Sequence, residues 1–421
     1  MDPIKVAALI LFLACYGLAI TRRVKLAYVG IVSAALMLCI LIPAGAMTPE
    51  QAAGSIRWDV LGIYWGFMML SMVFAWSGVP EHLARHLISR TRSEGTALLA
   101  LCSITALLSS FLENVGVVLI MAPIALEMAR RAGSSPFKYI VSIALCSNIV
   151  TTVSMVADPP AIILASETGM SFLDFYWFRG RVGLGAISAV GAIAGLVALY
   201  LTAFREMRKK IEIREERIKC DYLPTALFIC GIAALAINSH LGIGPGVIGL
   251  SVGIIALILG RRKLKQMIAD FDWNSFLFIV GIFLVIGAVD AVGILGDFAG
   301  ALGGLSAGSP TLAMAILVWL SVAMSSFMDN VPHTVMMIPV CRGLADAMGA
   351  GYLFPFLYGM LIGTGMGGNI TPVGATANVF ACGMLEKRGI RINLREYVKM
   401  SVPMTIAAVA AAQLLLHLLW M

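Results

Sequence analysis

Charge is scarce in this chain. Only 13% of its 421 residues are Asp, Glu, Lys or Arg, about half of the ~25% that a soluble domain needs for a wetted surface. With 60% hydrophobic residues and a mean hydropathy of +0.93, a water-soluble globular protein is excluded. Histidine is nearly missing: the five (His82, His86, His240, His333, His417) form no H-E-x-x-H pattern, which argues against a metal-dependent membrane hydrolase. No C-x-x-C pair occurs among the eight scattered cysteines, so neither a disulfide framework nor a zinc site is indicated. No small-residue cleavage site follows the first apolar run, Ile4 to Ile20; Arg22, Arg23 and Lys25 follow instead, and the run reads as a retained span. No enzyme activity and no cofactor are expected.

What is present is a series of long apolar runs. Bilayer hydrocarbon about 30 Å thick takes about 20 residues per helical span. Runs at 4–20, 26–46, 58–78, 139–165, 182–204, 222–239, 246–260, 273–292, 353–380 and 400–420 predict ten crossings. Two further pairs, 96–112 with 114–131 and 309–328 with 330–345, are interrupted by Glu113-Asn114 and Asp329-Asn330. These read as re-entrant hairpins with tips inside the membrane. Along this path one side receives 25 of the 30 Lys and Arg, and the other receives Lys5, Arg57, Arg179, Arg181 and Arg342. So strong a bias places the larger group in the cytoplasm and both termini outside. It also accounts for the net charge of +7 without a nucleic-acid partner. The expected setting is a lipid bilayer, in a prokaryotic inner membrane, and a homodimer stays open.

The chain reads as a duplication. Ser109-Ser110-Phe111-Leu112-Glu113-Asn114-Val115 recurs 216 residues later as Ser325-Ser326-Phe327-Met328-Asp329-Asn330-Val331, and Met121, Pro123 and Ala129 recur as Met337, Pro339 and Ala345. Five crossings plus one hairpin per half force the second copy to enter from the opposite side. The predicted fold is therefore an all-α polytopic membrane protein of two inverted-topology repeats, 1–204 and 222–421, joined by a charged cytoplasmic linker, 205–221. The segments Glu81 to Glu94 and Gly293 to Pro310 are read as equivalent loops.

Inverted repeats are a recurrent architecture of secondary transporters, whose sites lie at the midplane where helices break. The breaks are visible here. Asp158-Pro159-Pro160 cannot continue a helix, and it follows Ser147, Asn148, Thr151 and Thr152. The second half carries Gly363, Gly365, Gly367 and Gly368, then Asn369, Thr371, Pro372, Gly374, Thr376 and Asn378; so many glycines make a stable helix poor and let backbone approach a ligand. Glu113, Asp158 and Asp329 are three carboxylates in apolar sequence, each costly in hydrocarbon unless it faces a polar cavity or takes up a proton. At the hairpin tips, helix capping is the simpler role, expected first of Asn114 and Asn330. His333 titrates near neutral pH in its free form but has no counterpart in the first hairpin, where Val117 aligns.

The tip Phe111-Leu112-Glu113-Asn114-Val115, the run Ser147-Asn148-Ile149 leading to Asp158-Pro159-Pro160, and Gly367-Gly368-Asn369 leading to Gly374-Ala375-Thr376-Ala377-Asn378 resemble the arsenite permease and sodium/proton antiporter (ArsB/NhaD) group of the ion transporter superfamily, including its pink-eyed dilution branch. The family's G-D-P-P-N is here Ala157-Asp158-Pro159-Pro160-Ala161. The resemblance implies an elevator-like carrier, with a scaffold from the first two and the sixth and seventh crossings and a moving unit that holds the hairpins and broken helices. Relatives carry sodium, arsenite, silicic acid or organic anions, so the cargo stays open.

The leading expectation is a proton-coupled antiporter that extrudes a small inorganic ion or oxyacid of the sodium or arsenite class. Substrate or ion contacts are expected from Glu113, Asn114, Ser147, Asn148, Thr151, Thr152, Asp158, Asp329, Asn330, Gly368, Asn369, Thr371, Thr376 and Asn378. Proton coupling falls to Glu113, Asp158, Asp329 or His333, and a sodium ion, as the alternative coupling ion to the proton, to Asn148, Asp158 and Asn378. The competing expectation is sodium-coupled uptake of an anion of the citrate or dicarboxylate class.

Overall fold

A computed structural model describes residues 2–21, 23–210, 218–238 and 242–421. Arg22, Arg214, Arg217 and His240, and with them the centre of the linker 205–221, lie outside the described residues. The described chain is helical apart from one two-residue ladder that pairs Trp177–Phe178 with Arg181–Val182. Among the described residues five helices are long and apolar enough to cross a bilayer: Pro3–Thr21, the unit ending in Trp58–Trp76, Leu184–Phe204, Trp273–Ala291 and Leu394–Trp420. Three of the expected crossings form shorter apolar helices, Leu26–Leu41, Leu223–Ala236 and Pro245–Leu259. The remaining two are broken into Pro136–Asn148 with Pro159–Thr168, and Leu353–Gly367 with Thr376–Glu386. Prolines and glycines at the breaks deny the backbone its i to i−4 bonds, so an apolar run of crossing length does not become one helix.

The element order repeats. Helices Glu94–Ser109 and Asn114–Ala132 form the first hairpin, and Pro310–Ser325 and Asn330–Met348 the second. Each is preceded by a helix where a loop was expected, Val79–Ser89 and Ile294–Leu305. The former is amphipathic, burying Pro80, Ala84 and Ile88 on one face, and periodic burial of that kind supports a helix although the segment is polar overall.

Helix directions follow from close glycine contacts. Gly62 and Gly66 of Trp58–Trp76 lie against Gly246 and Gly249 of Pro245–Leu259, and Val73 lies near Gly260, so these two helices run parallel. Likewise Ala27 N donates to Asn274 Oδ1 at 3.0 Å and Gly30 meets Phe278 and Gly281, which makes Leu26–Leu41 parallel to Trp273–Ala291. The start of Trp58–Trp76 lies with the end of Trp273–Ala291, and its end with Phe271 and Asp272, so those two are antiparallel. Helices 26–41 and 273–291 thus point one way and helices 58–76 and 245–259 the other. Helices 58–76 and 273–291 pack both with the first-, second-, sixth- and seventh-crossing helices and with the second hairpin helices 114–132 and 330–348 and the half-helix 159–168.

The faces implied by the basic-residue count are also spatially coherent. Glu94 N donates to Lys209 O, Asp221 N to Ser77 O, and Lys263 lies over the Trp76 ring at 4.4 Å, which gathers one basic face. Arg57 and Arg342 meet at Glu167, and Lys5 pairs with Asp297, on the opposite face.

Candidate functional site

The two hairpins enter from opposite faces and meet tip to tip. Around their tips and the starts of the two second half-helices is a cavity of about 60 Å³. Glu113, Asn114, Asn148, Asp158, Asp329, Asn330 and Thr376 line it, together with Tyr64, Asp272 and Ser275. Four carboxylates therefore share the space, each half-buried, and no Lys, Arg or His is among the described lining residues. The carboxylates are spread around the cavity rather than gathered at a point: no three His, Cys, Asp or Glu among the described residues converge tightly enough to hold a metal ion.

Each hairpin tip is built by its own acid. Glu113 Oε1 accepts from Val115 N at 2.9 Å and Oε2 from Gly116 N at 2.7 Å, while Asp329 Oδ1 accepts from Val331 N at 3.1 Å. The capping expected of Asn114 and Asn330 thus falls one residue earlier, because the asparagines are already the first helical residues. That frees their amides: Asn330 Oδ1 accepts from Ser325 Oγ at 2.6 Å, whereas Asn114 Oδ1 is buried on the cavity wall with no partner. Asp158 precedes Pro159 at the start of its half-helix and makes no side-chain cap; its carboxylate lines the cavity and meets the side chain of Asn330 from the second hairpin tip.

Behind the cavity three amides tie the broken helices of the two halves together. Asn148 Nδ2 donates to Asn378 Oδ1 at 2.9 Å and Asn369 Oδ1 at 3.2 Å; Asn369 Nδ2 donates to Leu145 O at 2.9 Å and Asn378 Nδ2 to Gly368 O at 3.1 Å. Asn378 and Asn369 are fully buried and do not line the cavity, so the oxygen of Asn378 expected on a sodium ion is already engaged by Asn148. Ser147 bonds Ser109 at 2.8 Å and donates to Asn114 O at 3.1 Å, which braces the first tip. Thr152 bonds Ser188 at 2.9 Å and Thr371 donates to Ser326 O. Thr151 is buried with an unpartnered hydroxyl away from the cavity. His333 is buried inside the second hairpin, where it bonds Ser321 at 3.0 Å, and it does not line the cavity.

The sequence reading did not single out Asp272, Tyr64 or Ser275. Asp272 Oδ1 accepts from Ser275 N at 3.0 Å at the start of helix 273–291. Its signal was the Asp-x-x-Ser spacing before an apolar run, a helix-start signature that looks structural until the fold brings it to the cavity.

Residues 16–356 match the citrate transporter family, CitMHS. The chain belongs to the CitMHS citrate transporter family. It is 27% identical to an uncharacterized transporter of Mycobacterium tuberculosis over 98% of both chains. It is 24% identical to the P protein of Sus scrofa, over 92% of this chain and 56% of that protein, a relative from the pink-eyed dilution branch. Among solved structures it is similar to the YdaH transporter of Alcanivorax borkumensis, with a TM-score of 0.56 and 14% identity over 88% of this chain and 86% of that one, a likeness of fold. This CitMHS member is an integral membrane protein of transporter fold, and its named relatives include transporters.

Proposed function

We propose that this CitMHS member is a proton-coupled antiporter that extrudes a small cation of the sodium class. The observation that carries the reading is the charge of the cavity: four carboxylates and the free oxygen of Asn114, with no basic side chain among the described lining residues. Such a set attracts a cation that keeps part of its water shell when ionised and takes up protons when neutral, and each charge state disfavours the other, which is the elementary requirement for exchange. Size points the same way. The space between the tips, about 60 Å³, holds a few waters or a partly hydrated ion, although the larger cavity that meets it at Glu113 and Asp272 is of small-molecule size.

The opposed directions of equivalent helices support inverted repeats over 1–204 and 222–421, a layout that gives alternating access by exchanging the conformations of the halves. The basic face, by the Lys and Arg bias, is the cytoplasmic one and both termini lie outside. A cavity of about 690 Å³ leads from that face to Glu113 and Asp272, whereas a smaller one of about 260 Å³ on the opposite face contains none of Glu113, Asp158 and Asp329. These features support a cytoplasm-open state of an elevator-like cycle.

A second reading, sodium-coupled uptake of a citrate-class anion, is favoured by the family's description; the acidic cavity then takes the sodium. Proteoliposome flux separates the two. Antiport predicts sodium efflux driven by an inward proton gradient and insensitive to citrate. Citrate accumulation that requires sodium, with no proton-driven sodium flux, would replace the first reading with the second.

A further inference from the structure

The two halves differ in charge at one equivalent position. Arg57 and Asp272 each immediately precede the corresponding 19-residue helix of their half, Trp58–Trp76 and Trp273–Ala291. Each also lines a cavity built from equivalent elements on its own face: the end of the long helix, the second hairpin helix and the second half-helix. On the basic face the cavity is about 690 Å³ and runs past Asp272 to Glu113. On the opposite face it is about 260 Å³, and Arg57 spans it to Glu167 of half-helix Pro159–Thr168 at 2.5 Å. Arg342 of the second hairpin holds the other Glu167 oxygen at 2.9 Å and its carbonyl at 2.8 Å.

We infer that Asp272 and Arg57 are side-specific affinity residues that bias cation binding toward the basic face. This rests on the cation-antiport reading and deepens it. In the described conformation Asp272 adds its charge to the three carboxylates of the hairpins and first broken helix, and Asn114 Oδ1, over nine-tenths buried and without a protein partner, is a further oxygen donor at the same cavity. In the exchanged conformation the equivalent position is Arg57, freed from Glu167, and its positive charge faces the cavity where Asp272 had been. The ion is thus held on the side from which it is collected and repelled on the side where it is released. The same Arg57 bridge keeps the release side shut while the collecting side is open.

The test uses sodium flux in oriented vesicles, with the half-saturation measured separately from each face. Asp272→Asn keeps an oxygen to cap Ser275 N and is expected to raise the half-saturation at the basic face roughly tenfold, the scale of one unit charge lost near a partly buried site, with the opposite face unchanged. Arg57→Gln is expected to lower the half-saturation at the opposite face several-fold. Equal shifts on both faces, or none, with wild-type sodium flux intact, would overturn this inference and leave the antiport reading standing. Absence of any wild-type sodium flux would overturn both. Fluorescence-monitored size exclusion of each variant identifies a misfolded protein, and the reciprocal pair Asp272→Asn with Arg57→Gln, which should equalise the two faces, provides the second route.

Discussion

Removing the Asn148 side chain tests the junction on which the site is built. Asn148 is 2% exposed and Asn369 and Asn378 are 0% exposed, so a lost partner can be replaced only by water from the cavity that Asn148 lines. Asn148→Ala deletes two hydrogen bonds, at 2.9 and 3.2 Å, and leaves two amide oxygens without those donors. A buried acceptor left unpaired costs about 1–3 kcal/mol, so two cost about 2–6 kcal/mol, tempered by the adjacent cavity, from which a water can enter. The expected loss is about 3 kcal/mol, a large fraction of the margin of a typical protein. Unfolding titrations in mixed SDS and dodecyl maltoside micelles measure it. An Asn148→Ala, Asn378→Ala double-mutant cycle should return a coupling of at least ~1 kcal/mol, since residues in one hydrogen-bond network are not additive. A loss below about 0.5 kcal/mol would refute the claim that these amides hold the two broken helices together.

Three further outcomes are expected. Glu113→Gln should abolish proton-driven flux with little loss of stability, because its amide oxygen still caps the hairpin helix, whereas Glu113→Ala should add about 1 kcal/mol of destabilisation; equal flux in Glu113→Gln and wild type would remove Glu113 from coupling. Gly62→Leu should force helix 58–76 from helix 245–259, since even a Cβ there would lie 2.6 Å from Gly246 O, and is expected to cost about 1–3 kcal/mol or more. Gly54→Ala, with open space around it, should be near neutral in the same unfolding titration. Protons and cation compete for the same oxygens, so the sodium half-saturation should fall as cytoplasmic pH rises; a pH-independent value measured by tracer flux would contradict exchange at one site.

Much of this arrangement was legible in the chain because breaks and repeats leave covalent marks. Pro159-Pro160, the glycines from 363 to 374 and the 216-residue offset between Glu113-Asn114 and Asp329-Asn330 located both hairpins and both broken helices. What stayed hidden depended on three-dimensional approach. Asp272 sits at a helix start, where acids are ordinary, and only the antiparallel approach of helices 58–76 and 273–291 brings it to the cavity that Glu113 lines. Glycines 62, 66, 246 and 249 look like generic small residues until their helices are seen in contact. Asn369 and Asn378 resembled ion ligands because any buried amide does; their oxygens are occupied by Asn148, a fact that spacing alone does not carry. The helices 79–89 and 294–305 were read as loops because they are short and polar or glycine-rich, and tertiary packing of one face overrode that local preference.

The central claim is that cation and protons compete for the carboxylates of one cavity, and proton release on ion binding tests it most directly. Sodium chloride added to the purified protein in weakly buffered detergent should release protons in proportion to sodium bound, while choline chloride releases none and Asp158→Asn releases fewer. Sodium binding without proton release, or release unchanged by substitution of Glu113, Asp158 and Asp329, would contradict it.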